Sequence, residues 1–577
     1  MLPPPHARRR ALKLCSLVAI CGLGPIGLTA CGGSSSSTNA TASGAAATTT
    51  APTKIVTAWP ADVTTLDPAN LSTDQDHTLS RNIYQTLALP VLVPQKDGTL
   101  RPSGTKVTPY LAKSWDIGKT SITYHLRDGV RFYPSGDPLT AADVKFSLDR
   151  IFDTPGAGDL QSNGLQGPQD IQVVDAHTVR LDFTSKDGKP TPVTAILQFE
   201  FGQHFTGIVD SKVAEQHVTP SDKYAAKWLR LNAVGSGPYY IAARTPGEGL
   251  TLKAIPNNWT PAPNFTEVDV RVTSGSIASL LQTGDVNYAD SGMTSKQADD
   301  LAKAGRSVFW QTTGNFDMFA ITAAPTADVG PLGNKLVRQA MGYALPYDEV
   351  LKSVIYGRGE RSGSLVQPTA PEYTPAWLVY KTDLAKAKQL MAAAGNPTVN
   401  APLHYLQGDE DQTNTAILVQ ANLKKIGVQT TLTPETQAGL FDVVNARSQP
   451  EKGKQIGPAG LELFDWSGFA DDPSIVLGYW ATTGGINNYA LYSSPTVDAI
   501  NKKFAFQGPS AARTAAYQKA QQTIAADAPY IPIVNVGAIT VVTKGIEGVS
   551  FSPGGSGRYW TLHPAGVPNP IVSSLFG

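Results

Sequence analysis

Past residue 53 the chain breaks into short apolar runs of two periods, alternation suited to strands and three-to-four spacing suited to helices. Ile55 to Trp59 reads as an opening strand, closed by the turn Thr65-Leu66-Asp67-Pro68. Ser121 to Leu126 is a second strand, and Asp128-Gly129 after it predicts a hairpin returning through Val130-Arg131-Phe132. Thr140-Ala141-Ala142-Asp143 has the form of a capping box, with Val144, Leu148 and Ile151 on one face of the helix it starts. The same signals place helices at three further sites: after Asn334 (Val337, Met341, Ala344), after Asp383 (Leu384, Ala387, Met391, Ala394, stopped by Gly395), and at Tyr517, Ala520 and Ile524. Ile417, Ala421 and Lys424 predict a helix running to Gly427, followed by a strand from Val428 to Thr433. Pro346 should end or restart the helix before it. Strands and helices interleave without an internal repeat, so the fold class is α/β, or mixed α+β, in several lobes.

The first residues have a different pattern. Arg8, Arg9, Arg10 and Lys13 precede an apolar stretch from Leu14 to Leu28 that Gly24-Pro25 interrupts, which reads as a secretory signal rather than a membrane span. Leu28-Thr29-Ala30-Cys31-Gly32 resembles the bacterial lipobox. That resemblance implies a signal peptide over residues 1–30 and a lipid on Cys31. Residues 32–53 are Gly, Ser, Thr, Ala, Asn and one Pro, with no charge. This composition predicts a flexible tether with an r.m.s. reach of roughly 25 Å. A lipid on such a tether would hold a soluble body at the outer face of the cytoplasmic membrane.

At 577 residues the chain is too long for one core. Lys plus Arg equals Asp plus Glu at 47 each, which supplies no basic excess for a phosphate backbone and argues against nucleic acid as partner. Loss of residues 1–30 removes four positive charges and no acid, taking the formal net charge from 0 to −4. All three cysteines, Cys15, Cys21 and Cys31, lie in the first 31 residues, so the body has neither a disulfide framework nor a thiolate metal site. The longest later apolar run, Ile531 to Val542, contains Asn535 and is too short to span a bilayer. Gly-x-Ser-x-Gly, His-Glu-x-x-His, the phosphate loop and Gly-x-Gly-x-x-Gly are absent. Among His77, His125, His177, His204, His217, His404 and His563, none recurs at ligand spacing. Binding outranks catalysis, with no cofactor and no metal expected.

The order of several short motifs resembles that of the family 5 extracellular solute-binding proteins of ABC importers, which include oligopeptide- and dipeptide-binding proteins. The motifs are Thr65-Leu66-Asp67-Pro68, Leu111-Ala112-Lys113-Ser114-Trp115, His125 to Phe132, Leu139 to Val144, Gly235-Ser236-Gly237-Pro238-Tyr239, Gly284-Asp285-Val286-Asn287, Val337-Arg338-Gln339-Ala340, Ala385 to Gly395, and Ile426-Gly427-Val428. Read from the residues alone, most of these are scaffold, Gly235 and Gly237 being turn glycines free to take positive φ. The resemblance implies a two-lobed periplasmic-binding-protein type II-like fold with an extra domain and a ligand cleft between the lobes. Domain I would comprise 54–91, 235–317 and 536–577, domain II 92–234, and domain III 318–535.

The resemblance also points to Phe464-Asp465-Trp466-Ser467-Gly468-Phe469-Ala470-Asp471-Asp472-Pro473 as cleft-lining. It implies Asp471 as acceptor for a peptide ammonium, a charge-assisted bond strengthened by desolvation. Asp472 reads instead as the cap of a helix starting at Pro473. Gly468, Phe469, Trp466 and Tyr489 are candidates to line the pocket or enclose ligand side chains, and Asp74, after the Leu-Asp-Pro turn, matches a cleft-edge loop. The segment departs from the family pattern, with one residue fewer between Gly468 and Asp471, and Ala344-Leu345-Pro346-Tyr347 stands where the family shows Ala-Ile-Asp-Arg. The expected function is a lipid-anchored, monomeric receptor that captures a small solute, an oligopeptide first, and delivers it to ABC permease subunits. A nickel chelate, a glycoside or an opine is the alternative cargo, and a surface lipoprotein hydrolase the alternative class.

Overall fold

Four of the five residues of Ile55–Trp59 are buried because the strand lies inside a mixed seven-stranded sheet. It runs parallel to Glu267–Val272 on one side and to Tyr288–Ala289 on the other. The sheet order is Ser307–Gln311, Ala538–Val542, Tyr288–Ala289, Ile55–Trp59, Glu267–Val272, Gly249–Ala254, Tyr239–Thr245. The computed structural model describes residues 53–154, 156–193, 206–311, 315–324, 327–368, 370–448, 459–467, 472–485, 487–505, 507–552 and 557–577.

A six-stranded sheet builds the second lobe in the order Glu360–Arg361, Tyr530–Asn535, Asn315–Ile321, Leu461–Ser467, Val399–Leu406, Val428–Glu435. Val399–Leu406 is parallel to both its neighbours, and Asn315–Ile321 is antiparallel to both of its own. Among the described residues the buried core of this lobe runs from Met318 to Val534, with half-buried Val536 packed against it. A four-stranded antiparallel sheet, Ala112–Ile117, Ser121–Leu126, Thr178–Asp182 and Ile171–Asp175, packs its own core around Leu126, Val144, Leu148 and Leu181. Asp67, from the Leu-Asp-Pro turn, ties this unit to the first sheet. It accepts from the Ala69 amide and Asn70 Nδ2, each at 2.9 Å, and pairs with buried Arg150.

The chain passes between lobes twice, along adjacent paths. Gln311 pairs with Ala538 at the edge of the first sheet, and Asp317 pairs with Val534 at the entry of the second. The second lobe is therefore an insertion into the first. Its sheet already includes Asn315, ahead of the expected border at 318. Val209, Ala214, Leu229 and Val234, expected in domain II, pack into the core of the seven-stranded sheet.

The caps follow the sequence reading. Asp143 accepts from the Thr140 amide at 2.8 Å at the start of Ala141–Asp149, Asn334 accepts from the Leu336 amide, and Asp383 from the Lys386 amide. Pro346 separates Lys335–Ala344 from the helical turn Tyr347–Glu349.

Three expectations are corrected. Val130 to Phe132 does not pair with Ser121–Leu126, whose neighbours are Ala112–Ile117 and Thr178–Asp182; Val130 and Phe132 are instead buried as core plugs. The helix Glu410–Lys424 forms, but it buries Ala416, Val419 and Leu423 and leaves Ile417 48% exposed. Gly235 and Gly237 are not positive-φ positions. A Cβ at either would lie 2.0 Å from the Ile83 carbonyl oxygen or 2.6 Å from its carbon, so close backbone approach is what requires glycine there.

Candidate ligand-binding cleft

Thr73 caps the helix Asp74–Ile83 through a capping box with Asp76. The Asp76 carboxylate also accepts from the Thr64 amide at 2.7 Å and the Thr64 hydroxyl at 2.8 Å, which fixes the preceding loop. Asp74 is thus held as the first helical residue, solvent-accessible but surrounded by protein at longer range. Loss of hydration, then the charges of Asp465 and Asp290, push its carboxyl up to about 6, with Arg81 opposing them. Arg81, in the last turn of the same helix, is brought down to about 9 by burial and by neighbouring Arg558. Asp290 accepts from the Gly557 amide and the Tyr288 hydroxyl, each at 3.2 Å, and burial raises it above the ordinary carboxylate range.

The second lobe presents further carboxylates to the same region. Asp317 and Asp465 are register partners on adjacent antiparallel strands, and Asp409 caps Glu410–Lys424 by accepting from the Gln412 amide at 2.8 Å. Asp411, in the first turn, accepts from the amide of Ser295 in the first lobe at 3.2 Å. Arg358 reaches Asp299 of the first-lobe helix Ser295–Lys303 at 3.2 Å, a second polar link between the lobes. Burial raises Asp409, Asp411 and Asp465. It raises Asp317 most strongly, with the charges of Asp409, Asp465 and Asp411 adding to it. These groups sit at the carboxyl ends of the parallel strands Val399–Leu406 and Leu461–Ser467, where crevices in open α/β sheets take their ligands.

Of the residues singled out in the sequence, Asp74 stands in this group, and Trp466 follows Asp465 in its strand, its side chain outside the described residues. Gly468, Phe469, Asp471 and Cys31 also lie outside the described residues. Asp472 is the helix cap, accepting from the Ser474 amide at 2.7 Å. Tyr489 is 5% exposed and packs its ring against Phe464 and Trp480, each centroid 5.3 Å away. Sequence reading missed Arg81, Asp290, Asp317, Asp409 and Asp411, and did not separate Asp465 from its segment. The available signal was a charge inside an apolar strand: Asp317 within Phe316 to Ile321, and Asp465 after Leu463-Phe464. Among the described residues no group of three or more His, Cys, Asp or Glu has metal-holding geometry, and no helix is long and apolar enough to cross a membrane.

The family model of bacterial extracellular solute-binding proteins, family 5 (Middle), matches residues 106–488. The probable D,D-dipeptide-binding periplasmic protein DdpA of Escherichia coli (strain K12) is 24% identical over 505 residues, covering 85% of this chain and 90% of the relative. The fold is shared with the periplasmic binding protein DppA of Helicobacter pylori, solved with the peptide STSA. It is 23% identical, with a TM-score of 0.71 over 88% of this chain and 98% of that one. NikA of Brucella suis, solved with Fe(III)-EDTA, is 20% identical with a TM-score of 0.70 over 89% and 99% of the two chains.

Proposed function

Because this chain belongs to the bacterial extracellular solute-binding proteins of family 5, we propose that it captures oligopeptides between its two lobes and delivers them to the permease of an ABC importer. The observation that carries the reading is the set of carboxylates converging from both lobes, Asp74 and Asp290 on one side and Asp317 and Asp465 on the other. A peptide always brings an ammonium, and its backbone can use fixed polar groups whatever its side chains. Asp471 remains the candidate for that ammonium, Gly468, Phe469 and Trp466 the candidates to line the pocket, and Tyr489 packs against Phe464 and Trp480. The body is held at the outer face of the cytoplasmic membrane by a lipid on Cys31 and acts as a monomer. The division of labour is domain I with domain II on one side of the cleft and domain III on the other.

The test is a thermal-shift panel on the purified body with defined di-, tri- and tetrapeptides, a nickel chelate, a glycoside and an opine, followed by mass spectrometry of each ligand recovered intact. A rise in melting temperature confined to peptides is expected. A shift with one of the other solutes alone would move the cargo to that class, and cleaved peptide would replace the receptor with a hydrolase.

A further inference from the structure

Asp317 is 5% exposed, and among the described residues nothing donates a hydrogen bond to its carboxylate. Its register partner across the antiparallel ladder is Asp465. Paired residues of such a ladder project to the same face with Cβ atoms roughly 4.5–5.5 Å apart, and like charges placed there repel. Asp465 receives one long contact, from Gln412 Nε2 at 3.4 Å. Among the described residues the other charged groups acting on the pair are acidic: Asp409 and Asp411 from the helix Glu410–Lys424, and Asp74 from the first lobe opposite Asp465. A buried carboxylate with no donor, set directly against a second carboxylate, has an incomplete coordination shell that a cation would fill.

We infer that Asp317 and Asp465 form a seat for a cation of the solute beyond a peptide's α-ammonium, a side-chain ammonium or guanidinium, and that the cleft selects positively charged cargo. The inference rests on the solute-binding reading of the cleft and adds to it the charge of the ligand. Burial and the neighbouring carboxylates raise the Asp317 carboxyl, so a proton and a cation of the solute compete for the same oxygens. An ammonium donates to both carboxylates at once, and a guanidinium can bridge them as a fork. Asp317 also stands where the chain enters the second lobe, so a cation seated there lies beside the crossing strands.

The test is calorimetric titration of the purified body with Ala-Lys-Ala, its neutral isostere Ala-norleucine-Ala, and spermidine as a cation without peptide groups. Each is repeated on Asp317→Asn and Asp465→Asn. Ala-Lys-Ala should bind at least tenfold tighter than the norleucine peptide to the original protein, and the gap should shrink to under threefold in each variant. The Asp465 side chain is solvent-accessible, although the protein surrounding it at longer range raises its carboxyl, so Asp465→Asn preserves the fold and carries the test if Asp317→Asn does not fold. Equal binding of the two peptides, or a gap that survives both substitutions, overturns the seat and leaves the peptide reading standing. Spermidine binding that the variants lose, without binding of either peptide, supports the seat and removes peptides as cargo. No binding by any of the three overturns the seat.

Discussion

Arg513 donates from one guanidinium nitrogen to both carboxylate oxygens of Asp472, each at 2.6 Å, and from another to buried Glu372. Its side chain is 2% exposed, as is that of Glu372, so the triad is a buried polar joint between the helix Ala511–Asp527 and the cap of Pro473–Trp480. Arg513→Met leaves two carboxylates without their cation, and breaking a buried pair in this way costs about 3–5 kcal/mol. Urea denaturation should show that loss in the second lobe. Asp472→Asn keeps a good helix cap and leaves Arg513 paired with Glu372, so its loss should be smaller. Equal loss in the two variants would assign the stability to the cap rather than to the cation.

Asp74 supplies a pH signature. Its carboxyl is raised from 3.8 to about 6 in the folded protein, so the folded state holds the proton more tightly than the unfolded chain. Stability from this group is therefore present at low pH and declines as pH rises from about 4 through about 6. Asp74→Asn removes the dependence. The variant should melt higher than the original protein at pH 7.5, with the difference vanishing by pH 4. A constant difference across that range would show that Asp74 titrates normally.

Cys31→Ser should release the body from washed membranes into the soluble fraction, since Cys31 is the last cysteine in the chain and stands at lipobox spacing. Retention of the variant on membranes through detergent-free washing would require another anchor.

Closure of the lobes on a solute should be visible as compaction. Among the described residues the lobes join through two adjacent crossings, the polar links of Ser295 with Asp411 and Arg358 with Asp299, and the cation–π contacts of Arg358 with Trp310 and Lys296 with Tyr356, a construction suited to hinge motion. Small-angle scattering with a peptide from the panel that shifts the melting temperature should give a smaller radius of gyration than the empty protein. An unchanged curve at saturation would rule out a closing cleft.

What could be read from the sequence was local. The caps at Thr140, Asn334, Asp383 and Asp472 are formed by residues within a few positions of each other, and all four stand as read. Asp128-Gly129 looked like a hairpin because turn chemistry is local, but strand pairing is not, and Ser121–Leu126 found its partners elsewhere. Ile417 misled because it is the more apolar residue on its helix, whereas the buried face is drawn by Ala416, Val419 and Leu423 against the sheet. Of the residues named from the sequence, Asp74 stands among the converging carboxylates, and Asp465 lay within the segment Phe464 to Pro473 without being separated from it. Asp317 and Asp465 acquire meaning from a register between strands far apart in the chain, and no spacing along the chain encodes it.

The nested connectivity has a consequence for melting. The guest segment enters by Asn315–Ile321 and leaves by Tyr530–Asn535, strands that are hydrogen-bonded to each other, and among the described residues its fully buried core comes from Met318 to Val534. Such a segment can unravel and reform while the host keeps its own core, which resumes at Val541 and Val542. Heating the empty protein would then proceed as two separate transitions. A molecule gripped by host and guest together fuses them into one, so cargo makes the receptor cooperative as a whole.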